Sequence, residues 1–384
     1  MRRYLHMNPE PSFKEFKTAE YIRKFYEGKD VEWLRYPVGH NGIAVKIKGG
    51  SHKPGQKRKT LAIRGDFDAL AIKEETDAEY KSKNPEAMHA CGHDAHTAIL
   101  LEAADALIQV REELPGDVVI IHQYAEEVPP GGAMAMIEGG ALDGADAIVG
   151  GHVWVSQKTN SVAALSGMAM AGRTYFKAII TGRGGHGSQP HKCVDPIVAA
   201  SHFVVAAQSI IGRNLDPADS AVITFGRFDG PGQFNVIPNS VTLEGDVRSC
   251  SESASLLIEK RFKEMLAGIS TAYGCSFELV YEHDYPPVNN DTGLAAFAAE
   301  FINGNSIPEL NLCQGEMTMG SEDFSYYQQK IPGLYVFFGA RPAGEFYPHH
   351  HPKFDIDENC LVTCAKFYAG FAADFLEKYD KEKL

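Results

Sequence analysis

The sequence predicts an α/β protein with a second, smaller α+β domain inserted into it, and three observations carry that prediction. Short apolar segments at 61–64, 118–121 and 147–149 each run into a polar cluster: Asp66 and Asp68, Glu126 and Glu127, and His152. Between Ala171 and His283 the texture changes to strand, helix, strand, strand, helix, strand. Buried α/β patterning then resumes with Leu334-Tyr-Val-Phe-Phe338 and an apolar helix from Asn359 to Leu376. At 384 residues the chain exceeds one ordinary core. The expected division is 1–170 with 284–384 as one discontinuous domain and 171–283 as the other, with hinges near Met170 and at 283–287.

Taken in order, Ser12 and Glu15 have the spacing of a capping box. Phe13, Phe16, Ile22 and Phe25 follow at helical spacing, which predicts an amphipathic first helix. Residues 42–48 alternate as a strand does, and 61–64 give a second strand that runs into Gly65-Asp-Phe-Asp68. Two carboxylates so close are expensive to bury unless a cation or a donor holds them. The motif Met88–Thr97 leads into an apolar helix ending near Val110, and Pro115-Gly116 breaks the pattern. Residues 118–121 read as a buried parallel strand. A short helix ends at Glu138 before Gly139-Gly140. The next strand, 147–149, gives way to Gly150-Gly151-His152. In the insert, strands at 174–181, 221–228, 240–248 and 276–281 and helices at 196–212 and 253–273 make a ferredoxin-like sandwich.

The net charge of −13 argues against a nucleic-acid partner and against an anionic membrane surface. The basic run at 53–59 contains Pro54 and Gly55 and reads as a solvated hairpin tip. Seven scattered cysteines make no disulfide framework and suit a reducing cytoplasm. No apolar run approaches the roughly 20 residues of a membrane span. The N-terminus carries no secretory apolar region and opens close to a helix, as though a few residues preceded it.

The chemistry gathers in three places. Glycine lets Cys91 and His93 turn toward one point, and thiolate with imidazole is a donor set that Zn²⁺ and its neighbours prefer. In Glu126-Glu127 one carboxylate can bind metal while the other acts as general base on a water acidified by the metal. His349, His350 and His351 follow the 334–338 strand, so they come to the edge where the other strands end.

Cys91-Gly-His93-Asp94, Glu126-Glu127, Gly151-His152 and the histidines before Pro352-Lys-Phe-Asp355 resemble the metal-dependent aminoacylase/carboxypeptidase amidohydrolases. The nearest subgroup is that of the indole-acetyl-amino-acid hydrolases, hippurate hydrolases and N-acetyl-diaminopimelate deacetylases. Gly184-Gly-His186-Gly-Ser188, Phe234–Pro238, Asp246-Val-Arg248 and Gly320–Phe324 extend the likeness over nearly the whole chain. The resemblance implies a zinc-exopeptidase-like catalytic domain with a mixed central sheet flanked by helices, and an inserted lid that also serves dimerisation. It further implies two divalent ions, Zn²⁺ or Mn²⁺ first and Co²⁺ or Ni²⁺ as alternatives, held by Cys91, His93, Glu127, His152 and His350. His350 is chosen because the family's histidine stands two before the proline, with His349 and His351 left open. Glu126 matches the catalytic base and Asp68 a carboxylate that orients a ligand. His186 matches an oxyanion donor, and Asn235 and Arg248 match groups that fix the substrate. A thiolate ligand also implies sensitivity to oxidation once metal leaves. The expected reaction is hydrolysis of an N-acyl amino acid, in a homodimer or higher oligomer. The alternative is a dipeptidase or carboxypeptidase of the same fold. A metal-binding protein without activity is the third reading, and Glu126 speaks against it.

Overall fold

The computed structural model describes residues 1–34, 41–52, 55, 57–304 and 306–379, and the chain forms two compact units. The larger comprises Met1–Ala169, Asn289–Glu316 and Asp323–Leu384, and the smaller Met170–Val288 and Met317–Glu322.

In the larger unit an eight-stranded mixed sheet is the organising element. Its order is Glu32–Trp33, Ile43–Ile47, Asp117–Gln123, Thr60–Asp66, Ala147–Trp154, Gly333–Gly339, Ser161–Ala163, Asn311–Leu312. The four strands from 117–123 across to 333–339 run parallel. Their near-continuous apolar runs are buried along almost every position, as parallel strands covered on both faces require. Helices His93–Gln109 and Cys360–Lys378 pack on each other and on the 60–66 strand. The carboxyl ends of the parallel strands share one edge, so Asp66, Gln123, Trp154 and Gly339 finish side by side.

Two local expectations fail here. The strand that begins at Ala147 does not stop before the glycine pair; it continues through His152 to Trp154. Gly150 and Gly151 look like a turn but are strand residues pressed by neighbours. A Cβ on Gly150 would meet Phe324 at 2.7 Å and one on Gly151 would meet Phe338 at 2.7 Å. The capping box at Ser12 and Glu15 also does not form. A short helix, Arg2–Met7, precedes the expected one, which starts only at Phe16 and has no side-chain cap from its N-cap, Glu15. Its buried face is Thr18, Ala19, Ile22 and Tyr26, while Phe13 and Phe16 are exposed. Glu10 instead accepts from the Thr18 amide at 2.8 Å and the Thr18 hydroxyl at 3.0 Å.

The smaller unit is an antiparallel sheet in the order Ala221–Asp229, Ser240–Ser249, Gly172–Thr181, Ser276–Tyr285. Helices Pro196–Asn214 and Glu252–Ala272 pack together and against it, completing the ferredoxin-like order. Asp195 caps the first helix through the Ile197 amide, and Ser251 caps the second through the Ala254 amide. Phe176, Phe203 and Phe262 fill the space between, with ring centroids 4.8 and 4.9 Å apart around Phe262.

Part of the basic run at 53–59 lies outside the described residues. Of its described members, Lys57 pairs with Asp146, Arg58 with Asp117, and Lys59 donates to the carbonyls of Phe375 and Tyr379. All seven thiols are free. Among the described residues no helix is long and apolar enough to cross a membrane.

Candidate metal centre

Five separate pieces of chain bring their side chains to the strand-end edge of the larger unit. Gly92, at φ 94°, makes the turn that lets Cys91 precede helix 93–109 while His93 opens it. Cys91 Sγ lies 3.2 Å from His152 Nε2. His93 Nε2 and His350 Nε2 approach the same atom, Glu127 Oε1, at 3.9 and 3.4 Å. Donor atoms of Cys91, His93 and His152 lie within 4.8 Å of one another, as do those of Cys91, Glu127 and His350. A third such group joins His93, Glu126 and Glu127. The overlapping groups therefore connect Glu126 with all five side chains expected to bind metal.

The residues present fit a cation. His93 Nε2 and Glu127 Oε1 are both buried and neither has a hydrogen-bond partner among the described residues. Leaving two such atoms unpaired costs roughly 1–3 kcal/mol each unless something binds them. The donor set mixes thiolate, imidazole and carboxylate, which suits Zn²⁺ and the neighbouring divalent metals.

Each donor is oriented from behind. Asp68, beyond the 60–66 strand, accepts from His93 Nδ1 at 3.1 Å, the Ser12 hydroxyl at 2.6 Å and the Glu127 amide at 3.1 Å. His152 Nδ1 donates to the Val153 carbonyl at 2.7 Å, leaving Nε2 toward Cys91. Next to it, His96 Nε2 accepts the Val153 amide at 2.9 Å and Nδ1 donates to Asp66 at 2.6 Å, so both of its nitrogens are engaged. Burial works against charge on His93, yet Asp66, Asp68 and Glu127 outweigh it and hold the ring up at about 10. On Cys91, burial joined by Glu127, Glu126 and Asp66 pushes the thiol well above its usual value. A thiolate there is favoured by a neighbouring cation.

The three adjacent histidines separate cleanly. His349 donates to the Val153 carbonyl at 2.9 Å and packs on Trp154, and burial lowers its pKa to about 4. His351 stacks on Tyr347 and accepts the Lys353 amide at 3.1 Å. His350, with a left-handed φ of 66° and its amide bonded to the Ala90 carbonyl at 2.8 Å, faces Glu127. Replacing His350 with alanine is expected to lower metal affinity and kcat/KM at least about 10–100-fold. His351→Ala is expected to stay within about twofold, and elemental analysis with kinetics checks both.

In the smaller unit, His186 is exposed on a two-residue ribbon, Gly185–His186, paired with Val236–Ile237. Its Nδ1 accepts the Ser188 amide at 3.1 Å, which leaves the proton on Nε2. Asn235 is exposed and its carbonyl accepts the Gly187 amide at 2.9 Å. Arg248 is held by Asp246 at 2.6 Å and Ser321 at 3.1 Å.

Sequence reasoning gave no site role to Arg64, His96, Asp323, Ser12 or Glu15. The Asp66/Asp68 pair was the available signal, since two buried carboxylates demand partners. Arg64 and His96 serve Asp66, and Ser12 and His93 serve Asp68.

The sequence profile of Peptidase family M20/M25/M40 matches residues 62–374. Over 382 residues the chain is 38% identical to the IAA-amino acid hydrolase ILR1-like 4 of Arabidopsis thaliana, covering 98% of this chain and 85% of that one. It is 36% identical over 381 residues to the N-acetylcysteine deacetylase of Bacillus subtilis, covering 98% and 96%. The crystal structure of the Bacillus subtilis YXEP protein, described as a dinuclear metal binding peptidase, superposes with a TM-score of 0.85 at 33% identity. The match covers 99% of this chain and 97% of that one.

Proposed function

The chain belongs to peptidase family M20/M25/M40, and on that premise we propose that it hydrolyses the amide bond of N-acyl amino acids. It is a metal-dependent hydrolase of amides. The buried pair of His93 Nε2 and Glu127 Oε1 beside Glu126 supports a metal centre, and the likeness to an IAA-amino acid hydrolase and an N-acetylcysteine deacetylase supports the N-acyl substrate. Cys91, His93, Glu127, His152 and His350 would hold two divalent ions. When bound, these supply Lewis acidity to the carbonyl and lower the pKa of water toward 7. Glu126 takes the proton of the attacking water and returns it to the departing nitrogen. Asp68 holds the Nδ1 side of His93, so that Nε2 is the nitrogen a bound cation would take in place of its proton. His186, with its proton on Nε2, donates to the oxyanion, and Asn235 and Arg248 grip the substrate, Arg248 through the free carboxylate.

The smaller unit serves as lid and dimerisation module, a reading carried by the resemblance. Seven free thiols suit the reducing cytoplasm. The family's peptidases support a second reading, cleavage of dipeptides or of peptide C-termini.

The deciding experiment is a hydrolysis screen with Zn²⁺, Mn²⁺, Co²⁺ or Ni²⁺ over N-acetyl, N-benzoyl and indole-acetyl amino acids beside free dipeptides. Turnover of the blocked substrates is expected to exceed that of the dipeptides, and a chelator is expected to abolish it until metal is restored. Faster dipeptide turnover favours the second reading, and activity indifferent to chelation overturns both.

A further inference from the structure

Residues 8–15, between the first two helices, run alongside the loop that follows the 60–66 strand. Ala69 donates to the Glu10 carbonyl at 2.9 Å, and Pro11 pairs with Ala69. From this segment two side chains reach the metal centre's supports. Ser12 donates to Asp68 at 2.6 Å, and Asp68 in turn takes His93 Nδ1 and the Glu127 amide. Glu15 is a fully buried carboxylate. Its Oε1 accepts the amides of Phe13 at 2.8 Å and Ala125 at 2.9 Å, and its Oε2 accepts Asn41 Nδ2 at 3.0 Å.

Ala125 is the residue before Glu126-Glu127, and its φ is 51°, a left-handed conformation that alanine holds only where its surroundings impose it. Helix capping does not explain Glu15, because Glu10 already takes the Thr18 amide. A carboxylate buried this deeply is costly unless its bonds are needed, and one of those bonds goes to the peptide that aims the catalytic pair.

We propose that Glu15 and Ser12 are positioning residues. Glu15 holds the Ala125 peptide so that Glu126 and Glu127 project in their working directions, and Ser12 fixes Asp68 and through it His93. The inference rests on Glu126 as the base. An ångström of misplacement costs on the order of 100-fold in rate even when its source lies outside the chemistry.

The test compares Glu15→Ala, Glu15→Gln and Ile22→Ala in the full chain loaded with metal. Ile22 is buried in the following helix and its side chain has no polar atom to join these bonds, so its truncation is expected to lower the melting temperature and leave them in place. Glu15→Ala is expected to lower kcat about 10–100-fold and to loosen metal binding, with KM within about threefold at saturating metal. Glu15→Gln should keep at least about a third of kcat, since its amide oxygen accepts the same two N–H groups and a rotated Asn41 amide meets its new donor. Ile22→Ala should keep wild-type kcat. Wild-type kcat in Glu15→Ala overturns the proposal, as does a loss shared by all three in step with melting temperature. If Glu15→Ala does not fold, Glu15→Asp, which withdraws the carboxylate by one methylene, takes its place with the same outcomes. Glu126→Gln is measured alongside. If it is active the base assignment fails; if it is inactive while Glu15→Ala is fully active, only the positioning fails.

Discussion

Replacing Glu126 with glutamine is expected to lower kcat by about 1,000-fold, the usual scale for removing a general base. The amide has nearly the same shape as the carboxylate but cannot take a proton from water at neutral pH. Glu126 is buried and sits within 4.8 Å of donor atoms on His93 and Glu127, so an isosteric change leaves the packing in place. Metal content by elemental analysis and KM should therefore stay within about twofold while turnover collapses. A Gln variant that turns over within tenfold of wild type would remove Glu126 from the chemistry.

The second large effect concerns stability. Arg64 stands inside a buried strand and is 1% exposed. Its guanidinium pairs with Asp66, donates to Asp323 at 2.8 Å and donates to Gln123 at 2.9 Å. Burial works against the charge on Asp66, yet Arg64, His93 and His96 prevail and hold its carboxyl well below the usual range. Arg64→Met takes the guanidinium from two buried carboxylates, leaving Asp66 to His96 and Asp323 to Gln123 and two backbone amides, a loss of about 3–5 kcal/mol. At about 2–4 °C per kcal/mol for a unit of this size, the melting temperature should drop by roughly 10 °C. Because the folded pKa of Asp66 is depressed, its contribution is fully present above the unfolded value of 3.8 and is lost as pH falls below it. Calorimetry across that range checks both statements, and an unchanged melting temperature at pH 7 would refute the first. Asp66→Asn in the Arg64→Met background should restore part of the loss, since neutralising one of these carboxylates removes part of the penalty.

Much of the site was legible because its side chains are scarce types in telling places. Cys91-Gly-His93 opens an apolar helix, Glu126-Glu127 and the 349–351 histidines come after apolar strands, and parallel strands deliver their ends to one edge. What escaped was polar and internal. Arg64 sits where the apolar pattern says core, and nothing local reveals that Asp323, 259 positions away, is its partner. Ser12 and Glu15 have only the spacing of a capping box, and that spacing hid their longer reach; Glu15 bonds Ala125, 110 positions on. The glycine pair before His152 misled for a related reason. Its lack of side chains answers to Phe324 and Phe338 rather than to any turn.

The interruption of the larger unit between Ala169 and Asn289 has a consequence for synthesis. Strand 147–154 emerges from the ribosome long before its parallel neighbour 333–339 has been translated. Arg2 likewise waits for Asp355 and Glu358, its partners near the far end of the chain. The ferredoxin-like insert meets no such delay in its four strands and two helices, all of which lie between 172 and 285. Translation thus presents a guest whose sheet and helices are already made to a host still missing part of its sheet.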